Sequence, residues 1–213
     1  MNAGVATRVS LLREVLKRGV VCHQSHILQE HTLHHAHIYC VLNGLSAQKF
    51  GPLLEWYIIR TFGLAKNSAS DCTGDCKVND INTEIKVSLG GQRHNKFNYV
   101  QIRVHHDVSH YLLTAFSLSA ENVEREGELF LYWIDHAAMM TLVLNHGTYA
   151  HGTKKTNGPI DADSLRDIHN TKEYALRTKV GDTCWNALQA FRITESDFSD
   201  LASGVIGGPA IIS

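Results

Sequence analysis

Apolar residues recur at helical spacing near the start of the chain. Val5, Val9, Leu12 and Leu16 fall close to one face and Gly19 can end the segment, which predicts a helix over Val5 to Arg18. A second, histidine-rich helix fits His23 to Leu42, with several offsets compatible. Ser46 can cap a third segment, SAQKFGPLLEWYIIRTFG, whose apolar face is Leu54, Tyr57, Ile58 and Phe62 and whose stop is Gly63. Gly51 and Pro52 put the start of its regular part near Pro52, because proline suits a first helical turn, and this places Glu55 in that turn. After a polar loop from Ala65 to Thr73 the period shortens to two. Strand patterns follow at Asp75–Val78 and Thr83–Leu89, joined through NDIN, then at Tyr99–Val104, Tyr111–Leu118 and Leu129–Ile134. LYWIDHAAMMTLVL reads as core, residues 145–163 as a polar, turn-rich surface, and short helices fit Leu165–Tyr174 and Thr183–Phe191. Helices first and strands afterwards predict an α/β fold with a mixed central β-sheet flanked by α-helices.

Composition narrows the class. With 213 residues, 44% of them hydrophobic and only three prolines, the chain is expected to form one globular domain over residues 1–213, with an N-terminal helical region over about 1–63. A formal net charge of -1 provides no global positive field, so a polyanionic partner would need a local patch. Such a patch is available between Ser88 and His106, where Arg93, Lys96, Arg103 and three histidines occur without an acidic residue. Five cysteines, an odd number, without a secretory signal lead us to expect reduced thiols in the cytoplasm. The lack of an apolar run of spanning length leads us to expect no membrane partner.

The candidate chemistry sits in TEIKVS. On a strand, Glu84 and Lys86 share one face while Ile85 and Val87 share the other. Asp75, across the NDIN turn, can reach the same end of the sheet. Two carboxylates brought close repel each other unless a cation sits between them, which favours Mg²⁺ or another hard divalent ion. The nearby lysine could then orient a water for attack on phosphorus. The plain alternative is an exposed charge pair on a solvent-facing strand.

SD…GD…TEIKVS, with LLEWY upstream and FNYVQIR downstream, resembles the PD-(D/E)xK nuclease superfamily, and type II restriction endonucleases in particular. The resemblance covers roughly residues 50–118. It implies a restriction-endonuclease-like core and a catalytic set of Asp75, Glu84, Lys86, Glu55 and Gln101, with Asp75, Glu84 and Glu55 as metal ligands and Mg²⁺ as cofactor. Gly74 stands where the family carries proline, and Asp71 competes with Asp75 for the first acidic position. The implied activity is site-specific hydrolysis of duplex DNA at a palindromic sequence, by a homodimer, with a cognate DNA methyltransferase in the host.

Arg93, Lys96 and Arg103 are the candidate phosphate contacts. In the 145–163 region, His151, Thr153, Lys154, Lys155 and Asn157 have the donors and acceptors needed to read base edges. Two other readings compete: a DNA repair or junction-resolving nuclease, and a non-catalytic zinc-dependent or DNA-binding regulatory protein. The zinc reading draws on Cys22, His23, His26, His31, His34, His35, His37 and Cys40, which match no finger or HExxH spacing. Cys72, Cys76 and His94 form a weaker thiolate alternative.

Overall fold

The structure is a computed structural model that describes residues 3–19, 32–68, 71–90 and 95–205. Helix α1 (Ala3–Arg18) buries Val9, Leu12 and Val15, and it ends at Gly19 with φ 96°, a conformation glycine adopts without a Cβ penalty. Helix α2 (Leu33–Leu42) is capped by Thr32 through a bond from the His35 amide, so the helix expected over His23–Leu42 is interrupted at Thr32, and its part before that residue lies outside the described residues.

Helix α3 (Ala47–Thr61) also corrects the sequence reading. It begins right after Ser46 and takes Pro52 into its interior, where proline has no N–H to give the Gln48 carbonyl. Glu55 therefore lies in the third turn, beyond the favourable reach of the helix N-terminus.

The strands form two sheets. Strands β1 (Ala65–Lys66), β2 (Cys76–Val78), β3 (Ile81–Leu89), β5 (His110–Ser117), β6 (Glu128–Asp135) and β9 (Arg192–Ile193) line up in that order in a six-stranded mixed sheet. Its one parallel pair is β3 with β5. The β2–β3 turn is the two-residue kind that the strand twist favours, with Asn79 and Asp80 both at positive φ between the partners Val78 and Ile81.

Strand β4 (Lys96–Arg103), read from the sequence as the next strand of one sheet, belongs to a second, three-stranded antiparallel sheet. Its order is β4, β8 (Glu173–Lys179), β7 (Thr148–Tyr149). Helices α4 (His136–His146), α5 (Lys154–Asn157), α6 (Ala162–Arg166), α7 (Thr183–Leu188) and α8 (Glu195–Ser203) complete the described chain. The helix expected over Leu165–Tyr174 does not form: α6 overlaps that range only at Leu165 and Arg166, and Tyr174 belongs to β8.

The core explains the layering. On one face of the large sheet, Leu113, Ala115, Phe130 and Tyr132 pack against Phe97, Tyr99, Tyr174 and Leu176 of the small sheet, with α4 and α7 sealing the sides. On the other face, Ile85, Leu112 and Trp133 meet Ile58 and Ile59 of α3 and Phe198 and Leu201 of α8. This is a mixed β-sheet flanked by α-helices. Among the described residues, no helix is long and apolar enough to cross a membrane.

Candidate active site

β2 pairs with β3 only as far as Cys76 opposite Thr83, so Glu84–Leu89 present an edge without a ladder partner on that side among the described residues. Asp75 covers the start of this edge. Its amide donates to the Thr83 carbonyl at 2.9 Å, and its carboxylate Oδ2 accepts the Ile85 amide at 2.7 Å, where another strand's carbonyl would otherwise sit.

Gly74 makes this approach possible. It has φ 81°, and a Cβ there would stand 2.6 Å from the Thr83 oxygen, so no other residue fits without displacement. The position that differs from the resembled family thus has its own steric reason.

The open edge floors a cleft of about 560 Å³, walled by α3 on one side and β4 on the other. Glu55, Asp75, Glu84, Lys86, Lys96, Gln101 and Arg103 all line it. Every expected catalytic residue is therefore brought to one place. Asp71, the rival first acid, is exposed and lies outside this lining.

Glu84 and Lys86 are not the exposed pair of the plain alternative: their side chains keep only 10% and 14% exposure, and the Lys86 ammonium is hydrogen-bonded to Glu84 Oε1. Withdrawing two charges from water is expensive, and the gain from pairing them offsets that cost only in part.

The electrostatics of the cleft are those of crowded acids. Burial, then the Glu84 charge, and to a smaller degree the Glu55 charge, push the Asp75 carboxyl up to about 7 against the opposing pull of the Ile85 amide. Burial also raises Glu55, although Lys66 at 3.9 Å pulls the other way. His106, beyond the end of β4, is held below the ordinary imidazole range by burial first and the Arg103 charge second, and it also feels Glu84 and Lys86.

Asp75 and Glu84 suit a hard divalent ion. Their repulsion is what a cation would relieve, and Mg²⁺ is commonly held by one or two carboxylates with water in its remaining positions. Among the described residues, no group of three or more His, Cys, Asp or Glu side chains is gathered to hold an ion by itself.

Gln101 occupies an unusual backbone position. Between Tyr99 opposite Leu176 and Ile102 opposite Tyr174, β4 has one residue too many, and Gln101 sits in this bulge at φ 59°. Left-handed backbone is uncommon for a residue with a side chain, and bulges of this kind re-aim side chains beside functional sites.

The basic segment is less free than its sequence suggested. Arg103 pairs with Glu173 on β8 at 2.6 Å, and His151 approaches the other Glu173 oxygen at 3.4 Å. Glu173 is seventy residues away from Arg103 in sequence, so no local signal could have revealed it. Arg93 lies outside the described residues.

In the 145–163 region, part of the expected recognition set is engaged in shaping the loop. Asn157 donates to the His151 carbonyl at 3.0 Å, and Thr153 and Thr156 cap α5 reciprocally. Lys154 and Lys155 are exposed.

The described half of the zinc candidate set is committed to packing. His37 is fully buried, donating from Nδ1 to the Leu33 carbonyl and accepting the Thr114 hydroxyl at Nε2; burial lowers its pKa to about 4, so it is neutral. Burial pushes the Cys40 and Cys76 thiols up to about 12, far from thiolate character. His34 bonds the Glu126 carbonyl, and His35 the Thr32 hydroxyl. Cys22, His23, His26, His31 and His94 lie outside the described residues. No protein-family model, curated protein or solved structure matches the chain.

Proposed function

We propose that the chain is a Mg²⁺-dependent endodeoxyribonuclease with a restriction-endonuclease-like core that hydrolyses phosphodiester bonds in duplex DNA at a specific sequence. The observation that carries this reading is the convergence of Glu55, Asp75, Glu84 and Lys86 on the open edge of β3, in a cleft that also contains Lys96 and Arg103.

Asp75 and Glu84 would hold the ion, with Glu55 nearby on α3. When bound, the ion supplies Lewis-acid polarisation of a phosphate oxygen and a lowered pKa for bound water. The chain's own residues do the rest. Lys86, fixed by Glu84, orients the attacking water and offsets negative charge growing on the phosphate. The water oxygen bonds to phosphorus as the bond to the 3′ oxygen breaks, leaving a 5′ phosphate and a 3′ hydroxyl. Lys96 and Arg103 position the backbone without reading sequence. A palindromic target calls for two such sites about a twofold axis, and hence a homodimer.

The test incubates plasmid and phage DNA with wild-type and Lys86→Ala protein, with and without Mg²⁺. The expected result is discrete fragments that need Mg²⁺ and a rate at least about 100-fold lower for the variant. A smear in place of fixed fragments would move the reading to a structure-directed repair or junction nuclease. Equal cleavage by both proteins, or none by either, rejects it.

A further inference from the structure

We propose that the outer face of the small sheet is a docking track for the phosphate backbone of the DNA that enters the cleft, with Arg177 and Lys179 of β8 as its new contacts. This deepens the nuclease reading and rests on it.

The sheet's alternation sets the track. Phe97, Tyr99, Leu176 and Thr178 point into the core, which turns Lys96 and Asn98 on β4 and Arg177 and Lys179 on β8 outward, where all four are exposed. The register then puts Lys96 directly opposite Lys179 and Asn98 opposite Arg177. Like charges facing each other across a ladder destabilise a sheet, and an anion bound between them would relieve that repulsion.

No acid among the described residues is paired with these cations: Lys96, Arg177 and Lys179 form no ion pair there. Arg177 is held in place by neutral acceptors only, the Thr148 hydroxyl and the Tyr149 carbonyl. Two carboxylates lie near the track, and one of them, Asp182, itself lines the groove adjoining the cleft. Glu173 is taken by Arg103, while Asp182 caps α7, accepting from the Thr178 hydroxyl and the Lys179 and Trp185 amides.

The track is continuous with the chemistry. Lys96 lines both the catalytic cleft and an adjoining groove of about 410 Å³ that Arg177 and Lys179 also line. A strand of eight residues extends roughly 25 Å, so cations along it can follow a single backbone past the cleft. A repeating polyanion fits this linear spacing better than one isolated phosphate would.

Binding of a fluorescent duplex, measured by anisotropy over a salt series in EDTA so that nothing is cut, tests the track. Wild type is compared with Lys179→Gln, with Arg177→Gln/Lys179→Gln, and with the charge-retaining Arg177→Lys/Lys179→Arg. Expected are an affinity loss of at least about tenfold in the double Gln variant, a log–log salt slope shallower by about two, and recovery in the charge-retaining variant. Metal-free Lys179→Gln should melt no lower than wild type, because it removes the repulsion with Lys96.

Unchanged affinity and slope in the double Gln variant overturn the proposal. So does an affinity loss with an unchanged slope, or a wild-type protein that does not bind the duplex. Cleavage that depends on Lys86 in Mg²⁺ reports separately on the nuclease reading: it can persist when the track fails, and its absence leaves the salt slopes still informative.

Discussion

The Asp75 carboxylate and the Ile85 amide are joined by a 2.7 Å hydrogen bond across the unpaired edge of β3. This bond fixes an acid beside Glu84, and the acid's environment then works against its charge: burial and the Glu84 carboxylate together raise it to about 7. An Asp in an unfolded chain titrates near 3.8. The folded state therefore binds the extra proton between these values, and that contribution to stability is full below about 3.8 and lost as pH rises through about 7.

Metal-free protein should accordingly melt at a lower temperature at pH 8 than at pH 5 so far as this group is concerned. Asp75→Asn should flatten the dependence and be the more stable of the two at pH 8. If Mg²⁺ binds as proposed it must displace the proton, so its stabilising effect should grow as pH rises through 7 and vanish in Asp75→Asn. Thermal melts at several pH values, with and without Mg²⁺, measure all three. A variant that keeps the wild-type pH slope would remove Asp75 from the account.

Gly74 gives a backbone test of the same corner. In Gly74→Ala the methyl group would be forced against the Thr83 carbonyl at a left-handed φ. Urea unfolding should register a loss of about 2–3 kcal/mol, and cleavage should fall as the adjacent acid is displaced. A loss below about 0.5 kcal/mol would mean that the corner relaxes easily and that Asp75 is not rigidly placed.

Gln101 should trade stability for activity. At φ 59° its side chain carries a conformational penalty that the bulge imposes, so Gln101→Gly should stabilise the fold by about 1 kcal/mol after allowing for glycine's greater freedom when unfolded. If the side chain works in the cleft, the same change should slow cleavage at least about tenfold. Gln101→Ala, which keeps the strain but drops the amide, should lose activity without becoming more stable. A Gln101→Gly protein as active as wild type would make the bulge a purely architectural feature.

Much of the site's local geometry was legible in the sequence because it depends on short-range rules. The hairpin through NDIN and the alternation that sets Glu84 and Lys86 apart from Ile85 and Val87 are properties of neighbouring residues, although the turn itself is only Asn79 and Asp80, with Ile81 and Asn82 already in the strand. What could not be read is long-range. Nothing in KFNYVQIR says that it leaves the large sheet to pair with residues 173–179, so the companionship of Lys96 with Lys179 and of Arg103 with Glu173 was hidden. Helices α4 and α8 did carry signals, an Asp135 cap and a Thr194/Asp197 capping box, but the apolar run around α4 resembles any buried segment. At the start of α3 two local signals conflict: proline's preference for a first turn points to residue 52, whereas Ser46 holds the cap position and Pro52 is accommodated further inside.

The third-turn position gives Glu55 a different meaning. In a first turn it could be explained by the helix N-terminus alone; in the third turn it gains nothing from that field, yet its side chain keeps only 27% exposure, its carboxyl is raised by burial, and Lys66 pairs with it at 3.9 Å. A carboxylate kept there at a cost to stability fits a role in the cleft, and because Asp75 feels Glu84 more strongly than it feels Glu55, that role is a supporting one. Glu55→Gln should therefore raise the Mg²⁺ concentration needed for half-maximal cleavage by about 10- to 100-fold while leaving the rate at saturating Mg²⁺ near wild type. Asp75→Asn and Glu84→Gln should not be rescued by added metal. A Mg²⁺ titration of the three variants separates these outcomes: a Glu55→Gln protein slowed equally at every concentration would make Glu55 as indispensable as the other two acids, and one indistinguishable from wild type would confine it to packing against Lys66.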